Sequence, residues 1–198
     1  MTDLVLVPSP PALLAAYPSR IDPLPEVRRA AAEAVRWLVE RSEELVVVSA
    51  PDTSGQLRTR PPVPAGLRIA RNLLGPTPPP ATEVVVEPGT TVPRPRPGCG
   101  VLVVADGSAR RSTRAPGHLD ERSIAFDDDV EQALRSGDPQ RFAALDPAVA
   151  AELLSGAVPV LSAVGTAVAG RRPREVALDL SADPFGVQYW VARWIDLA

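Results

Sequence analysis

The chain has 198 residues, one cysteine and a formal net charge of −3, and all 21 of its basic residues are arginine. This length suits one domain over residues 1–198, and a single cysteine excludes an internal disulfide and a cysteine-rich zinc site. The lack of lysine excludes Schiff-base chemistry and a lysine-bearing phosphate loop, and the small net charge offers no polybasic tail for nucleic acid.

The N-terminus shows no basic segment followed by an apolar run. The longest apolar stretch, 157–169, contains Pro159 and is shorter than the roughly 20 residues that span a bilayer. We therefore expect a cytoplasmic protein that binds neither membrane nor nucleic acid.

Short aliphatic or β-branched runs predict strands that are buried on both faces. They lie at 4–7, 45–49, 84–86, 101–105 and 176–180. Between the first two runs, apolar residues from Val27 to Val39 recur at helical spacing with charged residues opposite, which predicts an amphipathic crossover helix. The alternation of strand and helix patterns predicts an α/β domain whose central sheet is covered by helices.

A second helix is predicted to begin near Ser123 or Asp127. Three consecutive aspartates at 127–129 suit the positive end of a helix dipole, which favours a helix start over a metal site.

Two Asp-Pro pairs, Asp138-Pro139 and Asp146-Pro147, each predict the start of a short helix, because the aspartate can cap it and proline suits its first position. Gly156 and Gly170 predict helix ends. The run at 176–180 is then the final predicted strand.

Polar residues follow several predicted strands, where open α/β sheets bind their ligands. The fourth strand is followed by the polar loop 106–120, which carries three arginines. The candidate ligand-binding residues are Ser9, Asp52, Asp106, Ser108, Arg110, Arg111 and His118.

Guanidinium groups match the geometry of carboxylates and phosphates, which favours a small anionic ligand. The alternative is a solvated loop face in which Arg110, Arg111 and Arg114 pair with carboxylates at 120, 121 or 127. His118 is either a proton carrier or a hydrogen-bonded structural residue.

Two further constellations stay open. Ser108, His118 and Asp120 could form a hydrolytic triad, although the sequence lacks a Gly-x-Ser-x-Gly elbow. Asp52, Asp106 and Asp120 could hold Mg²⁺ or Mn²⁺, although aspartates more often cap helices and turns.

Cys99 lies in Gly98-Cys99-Gly100 before a strand, which is the wrong context for a dinucleotide-binding turn and favours a small buried residue. The apolar segment 185–194, with Phe185, Tyr189 and Trp190, is typical of core packing, with a ligand pocket or a subunit interface as alternatives.

Five segments carry a resemblance to a known family. They are Val7-Pro8-Ser9-Pro10-Pro11, Asp106-Gly107-Ser108, 115–120, Phe126-Asp127 and 184–187. Together they resemble the LigB-like family of class III extradiol ring-cleavage dioxygenases, and in particular its short actinobacterial branch. The resemblance covers most of the chain and is weakest at 51–97. It implies a three-layer α/β/α domain with a mixed, mostly parallel sheet.

Active members of that family open catechol rings with Fe(II) held by two histidines and a carboxylate, and a further histidine acts as acid and base. In this chain the first ligand position corresponds to Ser9, the catalytic histidine to Ala109, and the segment after the second strand contains no histidine. The family's carboxylate ligand lies towards the C-terminus, where Asp179 and Asp183 are the nearest candidates in this chain. One histidine cannot supply two imidazole ligands. We therefore expect no iron cofactor, no metal site, no catalytic residue and no ring cleavage.

The resemblance thus predicts a degenerate member of the family that binds a small anionic or phenolic ligand, or a protein, without catalysis. The alternative is an enzyme of altered chemistry at the same pocket, an oxidoreductase or hydrolase acting on a small phenolic or anionic substrate. Since some members of the family work as one of two polypeptides, a protein partner or a homo-oligomer is also expected.

Overall fold

The computed structural model describes residues 1–14, 21–51 and 63–198. The strands are β1 (Thr2–Val7), β2 (Glu44–Ser49), β3 (Ala81–Val85), β4 (Cys99–Val104), β5 (Glu175–Ala182) and β6 (Tyr189–Leu197). They form one sheet in the order β3-β2-β4-β1-β6-β5. The first four strands are parallel, while β6 runs antiparallel to both β1 and β5. The sheet is therefore mixed and mostly parallel, as expected.

Helices cover both faces of this sheet. They are α1 (Pro25–Glu40), α2 (Ala65–Leu74), α3 (Arg122–Ser136), α4 (Pro139–Phe142), α5 (Pro147–Glu152) and α6 (Ala157–Ala167). One core lies between the sheet and α1 and α2, and a second lies between the sheet and α3 to α6. This arrangement confirms the three-layer α/β/α architecture.

Several local predictions are confirmed. The crossover helix is α1, which buries Val27 and Val35 among its apolar residues. Asp138 and Asp146 cap α4 and α5 by accepting hydrogen bonds from backbone N–H groups in the first turn. Cys99 is buried, as its small apolar side chain predicts.

Two strands are less buried than predicted. The runs 84–86 and 176–180 lie in or beside β3 and β5, the two edge strands, and many residues of these strands are partly or fully exposed. The aliphatic pattern is shared by central and edge strands, so it could not reveal which strands have only one neighbour.

The prediction that 176–180 is the final strand is wrong, because β6 follows it and occupies an inner position of the sheet. β6 buries Trp190 and Trp194 completely, and the Trp194 ring stacks on Phe142 with 5.0 Å between the ring centroids. Core packing is thus confirmed for these tryptophans, whereas Phe185 is 62% exposed.

The predicted role of the aspartates at 127–129 is also wrong. α3 begins at Arg122, so these aspartates lie in its interior, and Asp127 is buried. Gly156 precedes α6 as its N-terminal boundary, whereas the sequence predicted a helix end there. α2 was not predicted at all.

No helix in the described part of the chain is long and apolar enough to cross a membrane.

Candidate functional site

The first candidate feature is a pair formed by Ser9 and Asp106, which we call the edge pair. β1 and β4 are parallel neighbours with Val7 opposite Val104, so the residues that follow both strands meet at one edge of the sheet. The Ser9 N–H donates to Asp106 Oδ1 at 2.6 Å, and the Ser9 hydroxyl donates to Asp106 Oδ2 at 2.7 Å. Both residues are partly buried. The sequence placed both at this edge, and the structure joins them.

The edge pair has an unusual electrostatic setting. Burial raises the pKa of the Asp106 carboxyl to about 6, although both Ser9 hydrogen bonds act in the opposite direction. Among the described residues no arginine forms an ion pair with Asp106. Burial and the nearby charge of Asp106 raise the pKa of the Tyr189 phenol. A carboxyl, a hydroxyl and a phenol therefore share this part of the sheet edge.

The backbone around Asp106 is fixed by hydrogen bonds. The Asp106 carbonyl accepts from the N–H of Ala157, in the first turn of α6, at 2.9 Å. Gly107 N–H donates to Gln188 O at 2.9 Å. A Cβ at Gly107 would lie 2.7 Å from an atom of the Trp190 ring, so this close approach requires glycine. The edge pair thus rests on a rigid support.

Ser108, Arg111, Asp127 and Asp183 form a second group, which we call the inner network. Ser108 donates its N–H to Asp127 Oδ1 at 2.9 Å and its hydroxyl to Asp127 Oδ2 at 2.5 Å. Arg111 Nη1 lies 3.1 Å from Asp127 Oδ2, and Arg111 Nε lies 2.9 Å from Asp183 Oδ2. Arg111 therefore pairs with Asp127 as the alternative predicted, but neither side chain belongs to the solvated loop face that it described, since both are mostly buried.

The inner network is deeply placed. Ser108 is fully buried and the Asp127 side chain is 2% exposed, against 16% for Arg111. Burial raises the pKa of Asp127, while Ser108 and Arg111 act in the opposite direction. The hydrogen bonds between Ser108 and Asp127 therefore attach the loop to α3.

Arg110 lies beside Asp120 and Gly117. Its Cγ lies 2.7 Å from where a Cβ on Gly117 would be, and its Nε is buried with no hydrogen-bond partner among the described residues. Hydrogen bonds from Arg122 chiefly lower the pKa of Asp120 to about 2, and the charge of Arg110 acts in the same direction. The Asp120 N–H donates to the Arg110 carbonyl oxygen at 2.9 Å, but their side chains form no hydrogen bond.

His118 is exposed, has a left-handed backbone with φ of 59°, and donates its N–H to Ala115 O at 2.9 Å. The hydrolytic triad is wrong, because the Ser108 hydroxyl bonds to Asp127 and Asp120 bonds to Arg122, and neither bonds to His118.

Asp52 lies outside the described residues, so neither its ligand-binding role nor its place in a Mg²⁺ site is addressed. The two other aspartates of that predicted site bind different partners: Asp106 accepts a hydrogen bond from Ser9, and Asp120 accepts one from Arg122. Within the ranges that the structure describes, no three His, Cys, Asp or Glu side chains are grouped so that they could hold a metal ion.

Sequence reasoning did not find the partners of two residues of this region. Tyr189 was assigned to core packing, with a ligand pocket or a subunit interface as alternatives, and nothing in its local sequence indicates that it approaches Asp106. Asp127 was expected only as one of three possible partners of the loop arginines. Its burial could have been predicted, because it shares one stripe of α3 with Ser123, Val130 and Leu134 at spacings of four, three and four. A carboxylate on a buried stripe predicts a buried polar partner.

Two comparisons with known proteins were negative: no protein-family model matches the chain, and no curated protein matches its sequence.

Proposed function

We propose that this protein is a non-catalytic, degenerate LigB-like module that binds a small phenolic ligand at the edge pair. The ligand hydroxyl donates a hydrogen bond to the Asp106 carboxylate, beside the Ser9 hydroxyl. The observation that carries the proposal is the position of Asp106, a partly buried carboxylate at the carboxyl edge of the sheet with no cationic partner among the described residues.

The choice of a phenolic over an anionic ligand follows from the charges. Arg111 is engaged by Asp127 and Asp183, so one of the two guanidinium groups expected to bind an anion is already paired. An anion beside Asp106 would also meet a negative charge above a pH of about 6. A phenol instead supplies a donor to the carboxylate and a flat apolar ring.

The residues at this edge do not suit Fe(II). Ser9 occupies the position of the family's first histidine ligand, and its hydroxyl is a donor to Asp106. A serine and an aspartate lack the imidazole ligands of the two-histidine, one-carboxylate site. The proposal therefore includes no oxidative step.

An enzyme of altered chemistry is the second candidate function. One observation favours it: the Ser9 hydroxyl donates at 2.7 Å to a carboxyl whose pKa is raised to about 6. A carboxylate of this kind can accept a proton near neutral pH. On this alternative the protein would be a hydrolase in which Asp106 is the base.

The test is a titration of the ¹⁵N-labelled protein with catechol, followed by NMR. We expect saturable shifts at the amides of Ser9 and Gly107, and roughly tenfold weaker binding in Asp106→Asn, since a charged acceptor is lost. Binding should strengthen as the pH rises through about 6, because the phenol needs the ionised carboxylate. Asp128→Asn removes an exposed carboxylate from α3 and serves as the matched control.

Parallel assays separate the two candidates. Oxygen uptake with added Fe²⁺ and catechol, or ester hydrolysis that is lost in Ser9→Ala, would overturn the non-catalytic proposal. Catechol shifts that are equal in the wild type and in Asp106→Asn would place the ligand elsewhere.

A further inference from the structure

A groove of about 420 Å³ lies between α3, α4 and α5, and neither residue of the edge pair lines it. Its volume falls within the roughly 300–1,000 Å³ of small-molecule sites. Apolar side chains from three segments contribute to it, namely Phe126 on α3, Leu145 before α5 and Val149 on α5. These residues pack on the core between the sheet and α3 to α6, which fixes their positions.

Two of the charged residues of this groove already have structural roles. Arg122 pairs with Asp120 at 2.7 Å and with Glu152 at 2.8 Å, so its charge is compensated. Asp146 forms no ion pair in the described part of the chain, but its Oδ1 accepts hydrogen bonds from the N–H groups of residues 148 and 149 as the cap of α5.

Arg141 and Asp129 differ from them. Both line the groove and are exposed, and neither forms a side-chain ion pair within the part of the chain that the structure describes. Apart from the capping residue Asp146, the groove thus carries one unpaired cation and one unpaired anion above an apolar floor.

The order of residues along α3 gives the groove a direction. Arg122, Phe126 and Asp129 follow one another on one stripe, and a rise of 1.5 Å per residue puts Asp129 about 10 Å from Arg122. Arg122 and its partner Glu152 therefore lie toward the N-terminal end of α3. Arg141 belongs to α4, which begins just after the C-terminal end of α3, so it and Asp129 lie further from Arg122 along the groove.

We propose that this groove binds a small zwitterion with an apolar body, of the class of the apolar α-amino acids. The ligand carboxylate bonds to the Arg141 guanidinium, the ammonium group bonds to Asp129, and the side chain packs on Phe126, Leu145 and Val149. Charge complementarity selects this ligand, because a carboxylate alone leaves Asp129 unmatched and an amine alone leaves Arg141 unmatched.

Three probes of similar shape test the proposal: L-phenylalanine, 3-phenylpropanoate and phenethylamine. Each is titrated into the ¹⁵N-labelled full chain, and amide shifts are followed by NMR. We expect saturable shifts around Phe126 and Val149, with L-phenylalanine bound roughly tenfold more tightly than either single-charge probe.

Matched variants locate the charges. Arg141→Gln should weaken phenylalanine about tenfold while leaving phenethylamine unchanged, and Asp129→Asn should weaken phenylalanine similarly while leaving 3-phenylpropanoate unchanged. Arg36→Gln and Asp128→Asn change exposed residues outside the groove and should have no effect. Circular dichroism confirms that each variant is folded.

Two results would overturn the proposal. One is the absence of saturable shifts with phenylalanine up to its solubility limit. The other is equal binding of phenylalanine and 3-phenylpropanoate, which would make this a simple carboxylate site.

Discussion

Ser9 and Ser108 make the same two hydrogen bonds, each donating its N–H and its hydroxyl to the two oxygens of an aspartate. The surroundings of the two pairs differ. Asp127 also meets Arg111 and is almost completely buried, whereas Asp106 is partly exposed and no arginine pairs with it in the described ranges. The same local motif therefore stabilises a loop where an arginine completes it, and leaves a carboxylate without a cationic partner where none does.

The largest expected effect is the loss of the inner aspartate. Asp127→Ala leaves the Ser108 donors and the Arg111 guanidinium without their acceptor, so we expect the free energy of unfolding to fall by about 3–5 kcal/mol. Urea denaturation measures it. Asp128→Ala, next to it on the exposed face of α3, should change stability by less than about 0.5 kcal/mol. Equal losses in both variants would show that the inner network contributes little.

A smaller effect is expected when Arg111 is replaced. Without Arg111, the pair of Ser108 and Asp127 has no cationic partner from this loop and so resembles the edge pair. Arg111→Gln should lower the free energy of unfolding by about 2 kcal/mol at neutral pH. It should also raise the pKa of Asp127 further, because Arg111 acts against the rise caused by burial. The native state then binds a proton more tightly than the unfolded chain, so stability falls as pH rises.

Urea denaturation from about pH 4 to about pH 8 tests this consequence. The deficit of Arg111→Gln relative to the wild type should be smallest at low pH and largest at high pH. Arg114→Gln, which changes an exposed arginine of the same loop, should follow the wild type. A deficit that does not change with pH would mean that Arg111 acts by packing alone.

The smallest effect is expected at the edge pair. The pKa of Asp106 is about 6 in the folded protein and lower in the unfolded chain, so ionised Asp106 destabilises the fold. Its contribution to stability falls as pH rises from about 4 to about 6. A shift of this size corresponds to about 3 kcal/mol, and the weaker Ser9 hydrogen bonds to a neutral acceptor offset about 2 kcal/mol of it. Asp106→Asn cannot ionise, and we therefore expect it to be more stable than the wild type by about 1 kcal/mol above that range. Urea denaturation at about pH 7 measures the difference. A variant that is less stable at every pH would show that Ser9 requires the carboxylate.

Much of the candidate site could be predicted from the sequence, and the limits have physical reasons. Ser9 and Asp106 each follow a strand-like run, and the general rule for parallel sheets placed them at one edge. Arg111 and Ser108 were expected there too, but their partner Asp127 lies 16 and 19 residues further along the chain. The Arg111 side chain could in principle reach several carboxylates, and the position of α3 against the loop determines that it pairs with Asp127.

Periodicity and local capping over a few residues were sufficient to predict the α/β class, the crossover helix, the two Asp-Pro helix starts and the strand ends that hold Ser9 and Asp106. The inner position of β6, the edge positions of β3 and β5 and the burial of Asp127 are visible only in the folded chain. The same is true of the pairing between Arg111 and Asp127. These features depend on contacts between distant segments, since strand order and the pairing of charges are set by how the layers pack.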